Sequence, residues 1–181
     1  MFDEVTNRRG FLAFGLGAAT LLASSPVEAA LRRLPERALH LYNTHTGESL
    51  RAVYWGEGRY QNRAVAQFSR LLRDHRSGAV HAIDPRLLDL IASVQARVGA
   101  KGAVHIISGY RSPATNAELA ARSDGVASNS LHVRGKAVDI RLPGHQVRHV
   151  GRAARTLRAG GVGIYPDSDF VHIDTGPVRV W

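Results

Sequence analysis

A chain of 181 residues with 44% hydrophobic and 22% charged residues has the composition of a single globular domain, not of a disordered segment. It contains no cysteine, which excludes disulfides and cysteine-based metal sites and leaves His, Asp or Glu as the only strong metal ligands. The net charge of +9 favours acidic partners such as nucleic acid, anionic membranes or anionic wall polymers; the charges are scattered and few aromatics interleave with them, so no nucleic-acid partner is expected.

The first element is an address. Asn7-Arg8-Arg9-Gly10-Phe11-Leu12 leads into an apolar run from Phe11 to Ala23, followed by Ser24-Ser25-Pro26-Val27-Glu28-Ala29-Ala30. A basic start, a short apolar core and a small-x-small site define an export leader over residues 1–29, with cleavage expected after Ala29. The paired arginines resemble a twin-arginine signal, which implies a periplasmic destination. The apolar run is shorter than the roughly 20 residues a bilayer requires and holds Gly15 and Gly17, so no stable membrane span is expected after cleavage.

Residues 30–38 read as a polar lead-in, and 39–181 as the domain. Leu39–Asn43 and Ser49–Trp55 alternate like strands around a Thr-Gly turn. Residues 64–73 and 85–98 carry apolar side chains at helical spacing. In the second helix Asp84 is the cap, Pro85 takes the first position and Gly99 ends it. Val104–Tyr110 reads as a buried strand and Pro113–Arg122 as a helix. A polar loop spans 124–129, Ala137–Leu142 is a strand, and 144–159 is a helix. Gly160-Gly161-Val162-Gly163-Ile164-Tyr165 leads into strands at Phe170–Asp174 and Val178–Trp181. Helices early and short strands late predict an α+β domain.

Two segments carry chemistry. Alternation puts Asp139 on one face of its strand, opposite Val138 and Ile140, and puts Phe170, His172 and Asp174 on one face opposite Val171 and Ile173. His132 precedes Gly135, where the chain can turn tightly. Acids inside apolar strands are costly to bury without a cation, and neither strand offers an evident Arg or Lys on the same face. His132, Asp139 and His172 are therefore either a metal-binding set or hydrogen-bonded core residues; spacing does not separate the two.

These residues also carry a family resemblance. Ser130-x-His132-x-x-Gly135-x-Ala137-x-Asp139 matches the Ser-x-His-x-x-Gly-x-Ala-x-Asp signature of zinc D-Ala-D-Ala peptidases, which belong with the hedgehog and lysostaphin-type fold group. Ser108-Gly109-Tyr110-Arg111-Ser112-Pro113 with Asn116 looks like their Gly-Tyr-Arg-Ser segment. Gly161 to Pro166 and Phe170-Val171-His172-Ile173-Asp174-Thr175-Gly176-Pro177-Val178-Arg179-x-Trp181 resemble the end of the YcbK-like murein endopeptidase K family. The likeness runs over residues 39–181.

The resemblance implies a small central antiparallel sheet with flanking helices. It implies one Zn²⁺ per chain on His132, Asp139 and His172, peptidoglycan stem peptides as substrate, and hydrolysis of an amide bond in a cross-link. Arg111 would stabilise the oxyanion or hold a substrate carboxylate, and Ser130 would contact substrate or orient a ligand. Asp169, three residues before His172, is the expected proton acceptor, with Asp174 as the alternative. A monomer is expected. Competing readings are a D,D- or L,D-carboxypeptidase and a non-catalytic peptidoglycan-binding module.

Overall fold

The computed structural model describes residues 36–122, 127 and 129–181. The leader, and all of the lead-in before Glu36, lie outside the described residues. Eight strands form one sheet in the order β3-β2-β1-β4-β5-β7-β6-β8. They are β1 (Glu36–Asn43), β2 (Ser49–Gly56), β3 (Arg59–Tyr60), β4 (Val104–Ser108), β5 (Ala137–Arg141), β6 (Gly161–Tyr165), β7 (Phe170–Asp174) and β8 (Arg179–Val180). The helices are α1 (Asn62–Leu71), α2 (Pro85–Val98), α3 (Pro113–Arg122) and α4 (Val147–Leu157), with a 3₁₀ turn at Leu131–Arg134. This is the expected α+β class.

The sheet is larger than expected and not wholly antiparallel. β1 runs parallel to β4, and β6 runs parallel to β8. The terminal strand therefore adds to the outer side of β6 and does not pair with β7. β1 also begins at Glu36, inside the stretch read as lead-in, because Glu36 and Arg37 already pair with Gly56 and Trp55 of β2 and Arg37 is buried ahead of Leu39 and Leu41.

One apolar layer holds the sheet to its helices. Leu39 and Leu41 of β1, Val104 and Ile106 of β4, Val138 and Ile140 of β5, and Val171 and Ile173 of β7 join Phe68 of α1, Leu87, Leu88 and Ile91 of α2, and Val150 and Leu157 of α4. Phe68 is fully buried and meets Tyr54 edge-on. α2 keeps its expected ends: Asp84 accepts a hydrogen bond from the Arg86 amide, Pro85 follows, and Gly99 adopts the left-handed conformation. With the apolar residues of β5 and β7 turned toward the helices, alternation leaves Asp139, His172 and Asp174 on the other face.

The cap of α2 also reaches the far side of the domain. The Asp84 amide donates to the Gly135 carbonyl, and the Thr175 hydroxyl donates to the Asp84 carboxylate. The turn after His132 and the end of β7 are thus tied to the same helix start.

A half-buried His75 in the loop after α1 packs against the exposed His45. His75 stacks on His45 with ring centroids 3.8 Å apart. Burial, reinforced by the charge of His45, pushes the His75 pKa down to about 4. The unfolded chain takes up this proton near pH 6.5 and the folded one does not. Stability from this site is therefore present above pH 6.5 and lost as the pH falls toward 4. In thermal melts at pH 7 and pH 4.5, His75→Gln should lose less stability than the parent chain on acidification.

Candidate metal centre

His132 lies in the 3₁₀ turn, where the Ser130 hydroxyl caps the start by accepting from the His132 amide at 3.3 Å. Gly135 ends the turn with φ of 63°, and a Cβ there would meet the Ala82 carbonyl oxygen at 2.5 Å. Only glycine serves both the turn and this close approach. The chain then enters β5, where Asp139 pairs in register with His172 of β7. Sheet pairing thus fixes two members of the triad side by side, and the turn delivers the third.

Their facing atoms form a small triangle. His132 Nε2 lies 3.2 Å from Asp139 Oδ1 and 3.1 Å from His172 Nδ1, and His172 Nδ1 lies 2.9 Å from Asp139 Oδ1. All three residues are buried. The outward nitrogens decide the chemistry. His132 Nδ1 lies 2.6 Å from the Gly109 carbonyl oxygen, which can only accept, so Nδ1 carries the proton. His172 Nε2 lies 3.0 Å from Asp174 Oδ2 and donates to it. With both protons directed outward, two nitrogen lone pairs and one carboxylate oxygen converge with no hydrogen to share. Such a set suits a cation. The triangle's edges approach the roughly 3.3–3.4 Å spacing of ligands bound tetrahedrally at roughly 2.0–2.1 Å. Among the described residues this is the group of His, Asp and Glu able to hold a metal ion.

Electrostatics treat the two imidazoles differently. Burial pushes the His132 pKa down, toward the neutral imidazole a metal needs, whereas at His172 burial is outweighed by the Asp139 and Asp174 carboxylates, which raise the pKa, so a metal there would take the place of a proton. Burial opposes the charge on Asp139, but the facing His132 and His172 outweigh it and hold the carboxyl well below the usual range.

The expectation that these acids lack basic partners is corrected by the fold. Arg111 Nη2 donates to Asp139 Oδ2 at 2.7 Å, and its Nε donates to the Ser108 hydroxyl. Arg179 Nη2 donates to Asp174 Oδ2 at 2.7 Å. Both arginines come from other segments, so strand alternation within β5 or β7 could not reveal them. Arg111 reaches its place because Tyr110 donates its amide to the Leu72 carbonyl and Ser112 donates its amide to the buried Asp74.

Asp174 is fully buried and has no spare capacity. Its Oδ1 accepts from the amides of Gly161 and Gly176, while Oδ2 takes His172 and Arg179. Its hydrogen bond to Nε2 holds the His172 ring in place, and both of its oxygens face protein donors. Asp169 stands outside the cavity wall. It precedes β7 with φ of 52°, and its half-exposed carboxylate is 2.7 Å from Arg141 Nε. The strand does begin after it, but the side chain turns along the sheet to Arg141.

The triad opens into a cavity of about 460 Å³, lined by Arg111, Ser130 and Asn129 together with Tyr165, Phe170, Arg179 and Trp181. Arg179, Tyr165 and Trp181 were not singled out as site residues from the sequence. The available signal was the Gly161-x-Gly163 spacing inside a strand, which marks close approach by other atoms. A Cβ on Gly161 would strike Asp174 and Arg179, and one on Gly163 would strike the Trp181 ring. Arg179 of β8 and Trp181, just after it, thereby cross β6 to reach Asp174 and His172 of β7.

The family model described as peptidoglycan L,D-endopeptidase MepK, Peptidase_M15_2, matches residues 33–181. The chain belongs to the MepK peptidase family. Its similarity to the peptidoglycan L,D-endopeptidase MepK of Escherichia coli (strain K12) is 45% identity over 178 residues, spanning 97% of each protein. The probable peptidoglycan L,D-endopeptidase MepK of Haemophilus influenzae is 37% identical over 177 residues, spanning 97% of this chain and 95% of that one. Membership of this peptidase family agrees with the metal-compatible geometry of the triad.

Asp174→Asn keeps the shape of the side chain but weakens the acceptor that fixes His172. Metal affinity should fall by roughly 10–100-fold. Competition against a chelator of known affinity checks this; an unchanged dissociation constant would remove Asp174 from the role of orienting His172.

Proposed function

We propose that this chain is an exported zinc peptidase that hydrolyses amide bonds in the peptide cross-links of peptidoglycan. The observation that carries the reading is the convergence of His132 Nε2, His172 Nδ1 and Asp139 Oδ1 on one point at the wall of the cavity, with both ring protons tied outward. Two neutral imidazoles and one carboxylate are a ligand set used by catalytic zinc sites. When bound, the metal supplies a Lewis acid for the scissile carbonyl and lowers the pKa of water. The relatives from Escherichia coli and Haemophilus influenzae, a peptidoglycan L,D-endopeptidase and a probable one, support the peptidoglycan substrate. Export rests on the leader at residues 1–29. Among the described residues, no helix is long and apolar enough to cross a membrane.

The protein's own residues position the reaction. Arg111 holds Asp139 through Nη2, and its Nη1 has no protein partner among the described residues; we assign that group to the developing oxyanion. Ser130 lines the cavity and caps the His132 turn, and we assign it to substrate contact as well as to ligand placement. The two arginines of the cavity are both engaged with buried acids, Arg111 with Asp139 and Arg179 with Asp174. Arg179 is engaged through both Nη atoms and Arg111 keeps Nη1 alone open, so neither offers the pair of N–H groups that clamps a terminal carboxylate bidentately, which favours cleavage within a cross-link over carboxypeptidase action.

Metal-loaded mature protein should release new muropeptides from purified sacculi, with products of cross-link cleavage seen by mass spectrometry. Chelation should abolish release and added Zn²⁺ restore it. Metal binding without any new product would leave only the non-catalytic binding module. Asp169 is the second test. Its ion pair with Arg141 supports a place at the rim of the sheet, not proton transfer. Asp169→Asn should lower the rate less than tenfold, short of the roughly 10²–10⁴-fold loss expected for a general base. A loss in that larger range would return Asp169 to the reaction and require the Arg141 pair to open.

A further inference from the structure

The cavity has two unlike walls. One is polar, with Arg111, Asn129 and Ser130; the other is aromatic, with Tyr165, Phe170 and Trp181. The aromatic wall is built with care for its geometry. Tyr165 and Phe170 stack at 4.5 Å across the β6–β7 hairpin. The Trp181 indole N–H donates to the Tyr165 hydroxyl at 2.6 Å, and the Arg179 guanidinium lies 5.0 Å from the Trp181 ring centre. The ring rests against Gly163, where an added Cβ would come within 2.7 Å of it. Main-chain bonds from Ile164 N to Trp181 O and from Trp181 N to Val162 O fix the backbone.

Despite these restraints Trp181 remains 49% exposed. Its one polar atom is satisfied inside the protein, so the open ring surface offers only apolar and π contact. That surface lies beside the triad: the Trp181 and His172 ring centres are 5.2 Å apart. A rigid, half-exposed aromatic with no free donor is poorly explained by core packing and well suited to contact with a ligand at low entropic cost.

We propose that Trp181, seated on Gly163, is a specificity-determining platform for the peptide residues that flank the scissile amide, taking their aliphatic stems against its ring. The inference rests on the peptidase reading and names a contact within that site. Distance selects the occupant. An extended peptide advances about 3.3–3.6 Å per residue, so a group on Trp181 lies within about two residues of a bond held at the triad. Sugar rings, joined at the far end of the stem peptide, lie beyond that reach.

The test uses metal-loaded full-length mature protein and purified cross-linked muropeptides. Trp181→Ala should lower kcat/KM about tenfold, mainly through KM, with metal affinity unchanged, and Trp181→Phe should recover most of the loss. Gly163→Ala, which displaces the ring without removing it, should behave like Trp181→Ala. In a Trp55→Phe background, where Trp181 is the remaining tryptophan, muropeptide should cause a saturable change in emission. Unchanged KM in both Trp181→Ala and Gly163→Ala, with no emission change, would overturn the proposal. So would a fall in metal affinity matching the fall in activity, because Trp181 would then act by shielding His172. If the parent protein binds metal but cleaves nothing, the peptidase reading fails. The emission titration still decides this proposal: a saturable change supports it and its absence overturns it.

Discussion

The hydrogen bonds from His132 Nδ1 to the Gly109 carbonyl and from His172 Nε2 to Asp174 settle which nitrogen of each ring keeps its lone pair. Everything at the centre follows from that choice. If either ring carried its proton on the inward nitrogen, the triangle with Asp139 would close on itself as an ordinary hydrogen-bonded cluster. With the protons directed outward, three electron-rich atoms are held about 3 Å apart by partners they do not share. The arrangement is unfavourable without a cation and favourable with one. The fold therefore presents an incomplete site, and the surrounding bonds keep it from collapsing.

Those bonds draw on much of the sheet. Gly109 follows β4, Asp139 belongs to β5, His172 and Asp174 to β7, and Arg179 to β8. Arg111 neutralises the second oxygen of Asp139, and Arg179 does the same for Asp174. Each buried acid thus has a guanidinium on one side and an imidazole on the other. Pairing of this kind offsets the desolvation of the carboxylates, which would otherwise raise their pKa values and favour protonation. For Asp174 the balance leaves the pKa at about 2, where burial is outweighed by His172 and the Gly176 and Gly161 amides.

Local signals carried a good part of this into the sequence. The ends of α2 were legible because Asp84, Pro85 and Gly99 each act within one turn, and α3 because its periodic run is bounded by Pro113. The faces of β5 and β7 were legible because alternation needs only neighbouring residues. What remained hidden depends on pieces far apart in the chain. The partner of Asp139 lies 28 positions away, and the parallel seating of β8 against β6 follows from sheet geometry that two residues of strand cannot announce. Asp169 is the converse case. Its spacing from His172 suggests chemistry, but spacing does not say where a side chain at positive φ will point, and in the fold its carboxylate pairs with Arg141.

The start of α2 gives the two halves of the centre a common mechanical reference. Gly135, which closes the His132 turn, and Thr175, which follows Asp174, are both hydrogen-bonded to Asp84. Two segments tied to one residue are expected to follow it together if the helix end shifts. The spacing between the two histidines is then protected from motions that shift each of them relative to the rest of the domain, much as two arms hung from one pivot keep their separation when the pivot moves.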